Sequence, residues 1–445
     1  MHLRPMFSQS EGDMTTSPQI FHGEWWVPAE SVRKNGYLTF SSNCSGKKFT
    51  GTLTYWGEKE SVLELYHVPS DFFYTLYHEN EIMWGQDTKG RIYTLFRVNI
   101  KQDKSDISNT VFAVDFILIG EHVSQIDDAC FAKCIVQFPF LRNWAFRNNL
   151  EYQKTDGVYY FSLVDSSRKD NFVESQIDEK TKWLLRDKWD GNKTNYDLTI
   201  TQKKEFVIES LEGVSVYVCL RQIIEFSQFL SIALYCEQSP SSILLVNKDN
   251  HRESTLLFEI DNSSNPQNKS LIQFNELQNK IPLMLQKWHE CYESISPISK
   301  YLITSLGKKR YFDAPDFLII AQALDGYFKR FFEKKIDEKI RRYEKQIEIL
   351  LDRFKDIDVI KSCHIDPDVL TASRHKYSHL LPDEVKPKAV DGEELYDLTE
   401  KSKILLVCCI LDLLGLSIDE INLCLNASPI KELAEKFETD EWLKS

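Results

Sequence analysis

Hydrophobic periodicity switches once along this 445-residue chain, near residue 270. Before that point, short runs rich in β-branched and aromatic residues occur at 36–40, 52–55, 62–65, 91–96 and 113–119, often alternating at period two. Such alternation fits strands with one buried face. Asp87-Thr-Lys-Gly90 reads as a hairpin-type turn. Further strands are expected at 157–161, 196–200 and 214–218, one helix near 221–235, and β structure again over 241–258. After the polar loop 261–269, helices are expected near 274–294, 316–332, 336–354, 366–380, 399–414 and 428–442. Asp366 before Pro367, and Ser428 before Pro429, pair a capping side chain with proline at the first helical position. Asp397 and Glu400 have the spacing of a capping box. The expected fold class is α+β: a loose leader at 1–20, a β-rich region at 21–265 with a subdivision near 150, and an all-α bundle at 270–445.

Charge limits what such a chain can bind. Lys and Arg number 54 against 67 Asp and Glu, a net charge of −13. That balance argues against indiscriminate binding to nucleic acid or anionic membrane. Residues 311–445 alone carry 20 basic against 28 acidic side chains. An anion site in the helical part must therefore be a confined basic cleft. The 10 cysteines form no paired CxxC pattern and are expected to be reduced thiols of a cytoplasmic protein. No apolar signal core opens the sequence, and the greasiest stretch, 404–416, is short and carries Asp412. No membrane segment is expected.

The β-rich part shows no phosphate-cradling glycine loop, nucleophile elbow or metal cluster. Its histidines, His22, His67, His78 and His122, are scattered and read as structural or surface groups. Trp25 and Trp26 read as core at the edge of the first strand, with ligand stacking as the other option. The helical part holds one dense polar cluster, Ser373-Arg-His-Lys-Tyr-Ser-His379. Arg374 offers a permanent charge and a planar fork suited to phosphate oxygens. His379 offers an imidazole, the side chain best suited to moving a proton. Together they supply what cleaving an RNA phosphodiester through its own 2′-OH requires, with no protein nucleophile, metal or cofactor. Five residues along a helix is about 140° of rotation, so one copy of the motif holds its groups apart. A second copy across a two-fold axis would complete a cleft, which makes a homodimer part of the expectation.

Other readings of the same residues stay open. A solvated basic patch would look alike. His375 and His379 at i,i+4 also have zinc-ligand spacing, with Cys363 and His364 nearby, although Lys376 stands where a zinc-protease helix carries glutamate. The run Lys329, Arg330, Lys334, Lys335, Lys339, Arg341, Arg342 and Lys345 is either an RNA track or a solvated face laced with i,i+4 pairs.

Arg374-His375-x3-His379 resembles the R-[polar]-x3-H signature of HEPN ribonucleases, and the surrounding helices resemble that family's bundle. The N-terminal half adds Gly23-Glu-Trp-Trp-Val-Pro28, Gly36-Tyr-Leu-Thr-Phe40, Trp84-Gly-Gln-Asp-Thr-Lys-Gly90, Tyr93-Thr-Leu95, Phe116-Ile-Leu-Ile-Gly120 and Phe140-Leu-Arg-Asn-Trp144. These resemble the N-terminal domain of ApeA-type anti-phage proteins, so the resemblance covers about 20–440. It implies a metal-independent endoribonuclease, dimeric through its HEPN bundle, that attacks host RNA, expected to be tRNA, in abortive infection. Arg374 would contact the scissile phosphate, His379 would be the acid/base, and His375 would orient the site. An acidic residue on an earlier helix often supports the motif, and Asp325 is the candidate here. Leu381 stands where some HEPN toxins carry a modifiable tyrosine, so that regulation is not expected. The β-rich region is expected to couple activity to a phage-derived trigger. The alternative function is a HEPN module that dimerises and binds RNA without cutting it.

Overall fold

The computed structural model describes residues 17–28, 46–68, 82–101, 109–145, 150–155, 158–163, 171–193, 198–259, 269–306, 314–333 and 340–444. The strand expected at 36–40, His78 and the basic residues Lys334, Lys335 and Lys339 lie outside them. The chain forms two units, residues 1–128 with 250–261, and residues 129–249 with 262–445. The architecture is α+β, β-rich in the N-terminal part and helical in the C-terminal part.

The first unit is built on strands β1 (Gln19–Trp26), β2 (Phe49–Tyr55), β3 (Ser61–Tyr66), β4 (Ile82–Asp87), β5 (Ile92–Ile100) and β6 (Asn109–Ile119). They run in the order β6-β3-β2-β1-β4-β5, and β5 pairs back onto β6, so the sheet closes into an antiparallel barrel. Closure leaves no free edge among these six strands. The strand Glu253–Phe258 adds to the outer part of β6. Alternation in the sequence puts Phe49, Leu53, Leu63, Leu65, Trp25 and Tyr93 inside. Trp25 is fully buried because glycines face it: a Cβ on Gly85 would lie 2.1 Å from its ring. Trp26 ends β1 half-buried, packed edge-on against His122, so the core reading holds fully only for Trp25. The turn expected at 87–90 joins β4 to β5. The Asp87 carboxylate accepts from the backbone N–H of Lys89 and Arg91, the Arg91 guanidinium and the Tyr93 hydroxyl, at 2.7–2.9 Å.

The second unit starts from β7 (Phe131–Gln137), a hairpin of β8 (Leu150–Thr155) and β9 (Val158–Leu163), then β10 (Asn171–Gln176), β11 (Thr181–Lys193), β12 (Leu198–Val214) and β13 (Ser242–Asn247). Apart from the hairpin, these form an antiparallel sheet in the order β10-β11-β12-β7-β13. The short helix α1 (Leu141–Trp144) precedes the hairpin, and α2 (Val216–Leu234) follows β12. Of residues 214–218, expected as a strand, Val214 ends β12, Ser215 is the helix cap and residues 216–218 start α2. Ser215 caps it by accepting from the Val218 N–H, and that cap outweighs the strand preference of Val216 and Val218. α2 packs Phe226 flat on Phe206 of β12, ring centroids 3.9 Å apart.

The helical part continues with α3 (Phe274–Leu277), α4 (Ile281–Leu306), α5 (Ala314–Tyr327), α6 (Tyr343–Arg353), α7 (Asp358–Cys363), α8 (Pro367–His379), α9 (Gly392–Leu413), α10 (Ile418–Ala427) and α11 (Pro429–Lys444). α4 runs twelve residues past the expected end at 294 and carries Pro297 inside it. Its burial against α2, with Trp288 donating to the Glu225 carbonyl at 2.9 Å, offsets the lost backbone bond. α9 starts at Gly392, not 399, so Asp397 and Glu400 lie within it and form no capping box. The capping box falls instead at Ser417 and Glu420, opening α10. Residues 402–411 of α9 are buried all round, which makes it the central helix of the bundle. Among the described residues no helix is long and apolar enough to cross a membrane.

Candidate active site

Local sequence fixes α8 at both ends. The Asp366 carboxylate accepts from the N–H groups of Asp368 and Val369, and Pro367 supplies the first helical residue. At the other end Leu380 turns left-handed, with φ 51° and ψ 43°, and its N–H and that of Leu381 both reach the Lys376 carbonyl. Leu370 and Ser373 are buried on one face. Ser373 Oγ accepts from the Val390 N–H at 3.1 Å, and the Tyr377 hydroxyl donates to the Val390 carbonyl at 2.9 Å. Tyr377 also packs edge-on against Phe317 of α5.

Arg374, His375, Ser378 and His379 lie away from that buried face. The Arg374 guanidinium is held from two sides. It makes a 3.2 Å ion pair with Asp325 of α5, the acidic residue expected beside it, and sits 4.4 Å from the centre of the Tyr343 ring of α6. Asp325 also pairs with Lys329, and the Tyr343 hydroxyl donates to the Ala321 carbonyl at 3.0 Å. These contacts fix the fork while leaving its side chain 34% exposed. The buried ring restrains the guanidinium through its face, and the Asp325 carboxylate fixes one edge of the fork.

His375 and His379 are exposed and meet edge to face, with ring centroids 4.8 Å apart. Desolvation of its ring, then the charges of Lys386, His379 and Arg374, hold the His375 imidazole below its ordinary range. Among the described residues no hydrogen bond joins Arg374 to His379. The helix brings His375 to His379 and tertiary packing brings Asp325 and Tyr343 to Arg374, but the two ends of the motif stay apart within one chain, as their angular separation dictates.

Among the described residues no group of three or more His, Cys, Asp and Glu side chains is arranged to hold a metal ion. Cys363 is fully buried, and His364 ends α7 in a left-handed conformation. In the basic run, Lys329 pairs with Asp325, Lys345 with Glu348, and Arg330 donates to the Ser294 carbonyl. Much of its charge is therefore tied to its own surroundings. Sequence spacing missed Tyr343, because the sole signal, an aromatic beside Arg341 and Arg342, gains meaning only when α6 packs on α8.

Two family models match the chain: the ApeA N-terminal domain 1 over residues 20–288, and the Apea-like HEPN domain over residues 318–420. The chain belongs to the ApeA family. The first match alone spans more than half of the sequence, and the second runs from α5 into α10 and contains Asp325, Tyr343, Arg374, His375 and His379. Membership places this ApeA chain among the defence-related HEPN nuclease proteins, whose HEPN domains are generally ribonucleases and commonly dimerise. Comparison with curated proteins and with solved structures returned no significant match.

Proposed function

We propose that this chain is a metal-independent endoribonuclease of an abortive-infection system that cuts RNA, tRNA above all, at a cleft shared by two α8 helices. The observation that carries the proposal is the rigid seat of Arg374, clamped by Asp325 and Tyr343, on the same helix as two exposed imidazoles. In the proposed step the RNA 2′-oxygen attacks the adjacent phosphorus and the bond from phosphorus to the 5′-oxygen breaks. One neutral His379 takes the 2′-OH proton, and the protonated His379 of the second chain gives a proton to the departing 5′-oxygen. Arg374 bears on the non-bridging oxygens as charge builds there. His375 orients its neighbour through the edge-to-face contact. Single-stranded loops suit this chemistry because an unstacked nucleotide can bring its 2′-oxygen in line. The N-terminal part couples activity to a phage-derived trigger.

Purified protein incubated with total RNA in EDTA tests the reading. Cleavage that persists in EDTA and disappears in His379→Ala supports it. Binding without cleavage under every trigger tried would favour the non-cutting HEPN module, and activity that needs added metal would favour the zinc arrangement.

A further inference from the structure

Arg374 of α8 is held by a circuit of contacts that closes through two other helices. Its guanidinium lies 4.4 Å from the centre of the Tyr343 ring of α6. The Tyr343 hydroxyl donates to the Ala321 carbonyl of α5 at 3.0 Å. Ala321 stands about one helical turn before Asp325, which accepts from Arg374 Nη2 at 3.2 Å. One face of α5 therefore anchors the arginine twice, directly through a carboxylate and indirectly through an aromatic ring. The ring is itself seated. Tyr343 is buried, and its place at the start of α6 is fixed by Gln346, whose side-chain amide donates to the Ile340 carbonyl at 3.0 Å and whose backbone N–H donates to the Arg342 carbonyl.

The two anchors act differently. Asp325 also pairs with Lys329, so two cations share one carboxylate and the group keeps a positive charge. A second carboxylate in place of Tyr343 would hold the fork but cancel that charge. An aromatic face attracts the guanidinium with no formal charge of its own. Burial pushes the Tyr343 phenol above its ordinary range, so it stays neutral beside the arginine. A guanidinium presents its N–H donors in one rigid plane. Among the described residues Asp325 accepts the one hydrogen bond that this plane makes. A lone ion pair would let the plane turn about that contact. With one edge on Asp325 and one face on the ring it cannot turn freely, and its other N–H groups are left open. A phosphodiester takes two such N–H groups together, so the orientation of the fork matters to it as well as the charge.

We propose that Tyr343 is a positioning residue for the cut: its ring sets the angle at which Arg374 meets the non-bridging oxygens of the scissile phosphodiester. This assignment rests on the ribonuclease reading above. Tyr343 touches no reacting atom and acts through Arg374 alone. Its loss then slows the chemical step and leaves RNA binding nearly intact, because the charge remains while its aim is lost.

Full-length variants are compared with wild type on total RNA in EDTA, with cleavage followed against RNA concentration and unfolding midpoints measured in parallel. Tyr343→Leu, apolar but without a ring face, should lower the saturating rate roughly 10- to 100-fold and move KM less than about twofold. Tyr343→Phe keeps the ring and should stay within about threefold of wild type. Increasingly fluorinated phenylalanines at position 343 withdraw negative charge from the ring face at nearly constant shape, and their rates should fall step by step at an unchanged midpoint. That series carries the test if Tyr343→Leu does not fold. Wild-type rates in a folded Tyr343→Leu protein, or one rate across the fluorinated series, overturn the assignment. So does a raised KM at an unchanged saturating rate, which would make Tyr343 a binding residue. If wild type cuts no RNA in EDTA, the ribonuclease reading fails and the assignment fails with it.

Discussion

The barrel and the surroundings of α8 use polar side chains in opposite ways. In the barrel, burial pushes the Asp87 carboxyl up, but hydrogen bonds from Arg91 and Tyr93 outweigh that effect and hold it below the usual carboxylate range. Its oxygens are spent on its own turn. On α8, Ser373 and Tyr377 are committed inward in the same manner, whereas His375 and His379 face outward. Arg374 is fixed but left partly open. Polar groups that satisfy one another build structure; groups that are rigidly seated yet left partly open are poised for a ligand. The difference predicts which substitutions should damage chemistry and which should damage folding.

The largest effect should be chemical. His379→Ala and Arg374→Ala should each lower RNA cleavage roughly 10²–10⁴-fold while leaving the thermal unfolding midpoint nearly unchanged. Equal losses of midpoint and activity would erase the distinction between the two regions. Trp25→Ala should do the reverse, costing about 3–5 kcal/mol in denaturant unfolding of the barrel, since the glycines opposite Trp25 cannot fill the space. Asp87→Asn sharpens the comparison through pH. A carboxyl held low in the folded state contributes stability above its unfolded value near 3.9 and loses it as pH falls through the folded value. The stability gap between wild type and Asp87→Asn should therefore be wide at pH 7 and narrow toward pH 3 in urea unfolding. The smallest effect should come from Leu380→Gly. Leu380 is 89% exposed and left-handed, so glycine should raise stability by about 0.5–1 kcal/mol. A loss instead would mean that the exposed leucine packs against a second chain.

Much of the fold was legible where one face of an element is wet. Residues 52–55 and 62–65 alternate because β2 and β3 each bury one side in the barrel. Errors came where local and tertiary signals diverge. The β-branched Val216 and Val218 suggested a strand, yet Ser215 was already a helix cap. The first two turns of α9 are mostly polar and partly exposed, so apolar spacing begins only near Leu395 and Leu398, and the start at Gly392 was invisible. The helix expected to end at 294 runs on to Leu306 through Pro297, because packing against α2 carries α4 past a residue that would break an isolated helix. At the candidate site, Arg374, His375 and His379 were readable because one helix carries them. The clamp by Tyr343 was not, since it arises from the packing of α6 on α8.

The chemistry of the cut ends tests the central claim most directly. An RNA whose cleavage position has been mapped is treated in EDTA, alongside the same RNA with a 2′-deoxy nucleotide on the 5′ side of the scissile phosphate. Attack by the 2′-oxygen requires a 2′,3′-cyclic phosphate or its 3′-phosphate product, a 5′-hydroxyl on the other fragment, and no cleavage of the deoxy substrate. A 5′-phosphate, or efficient cutting of the 2′-deoxy RNA, would contradict the assignment of α8 as a metal-independent ribonuclease centre.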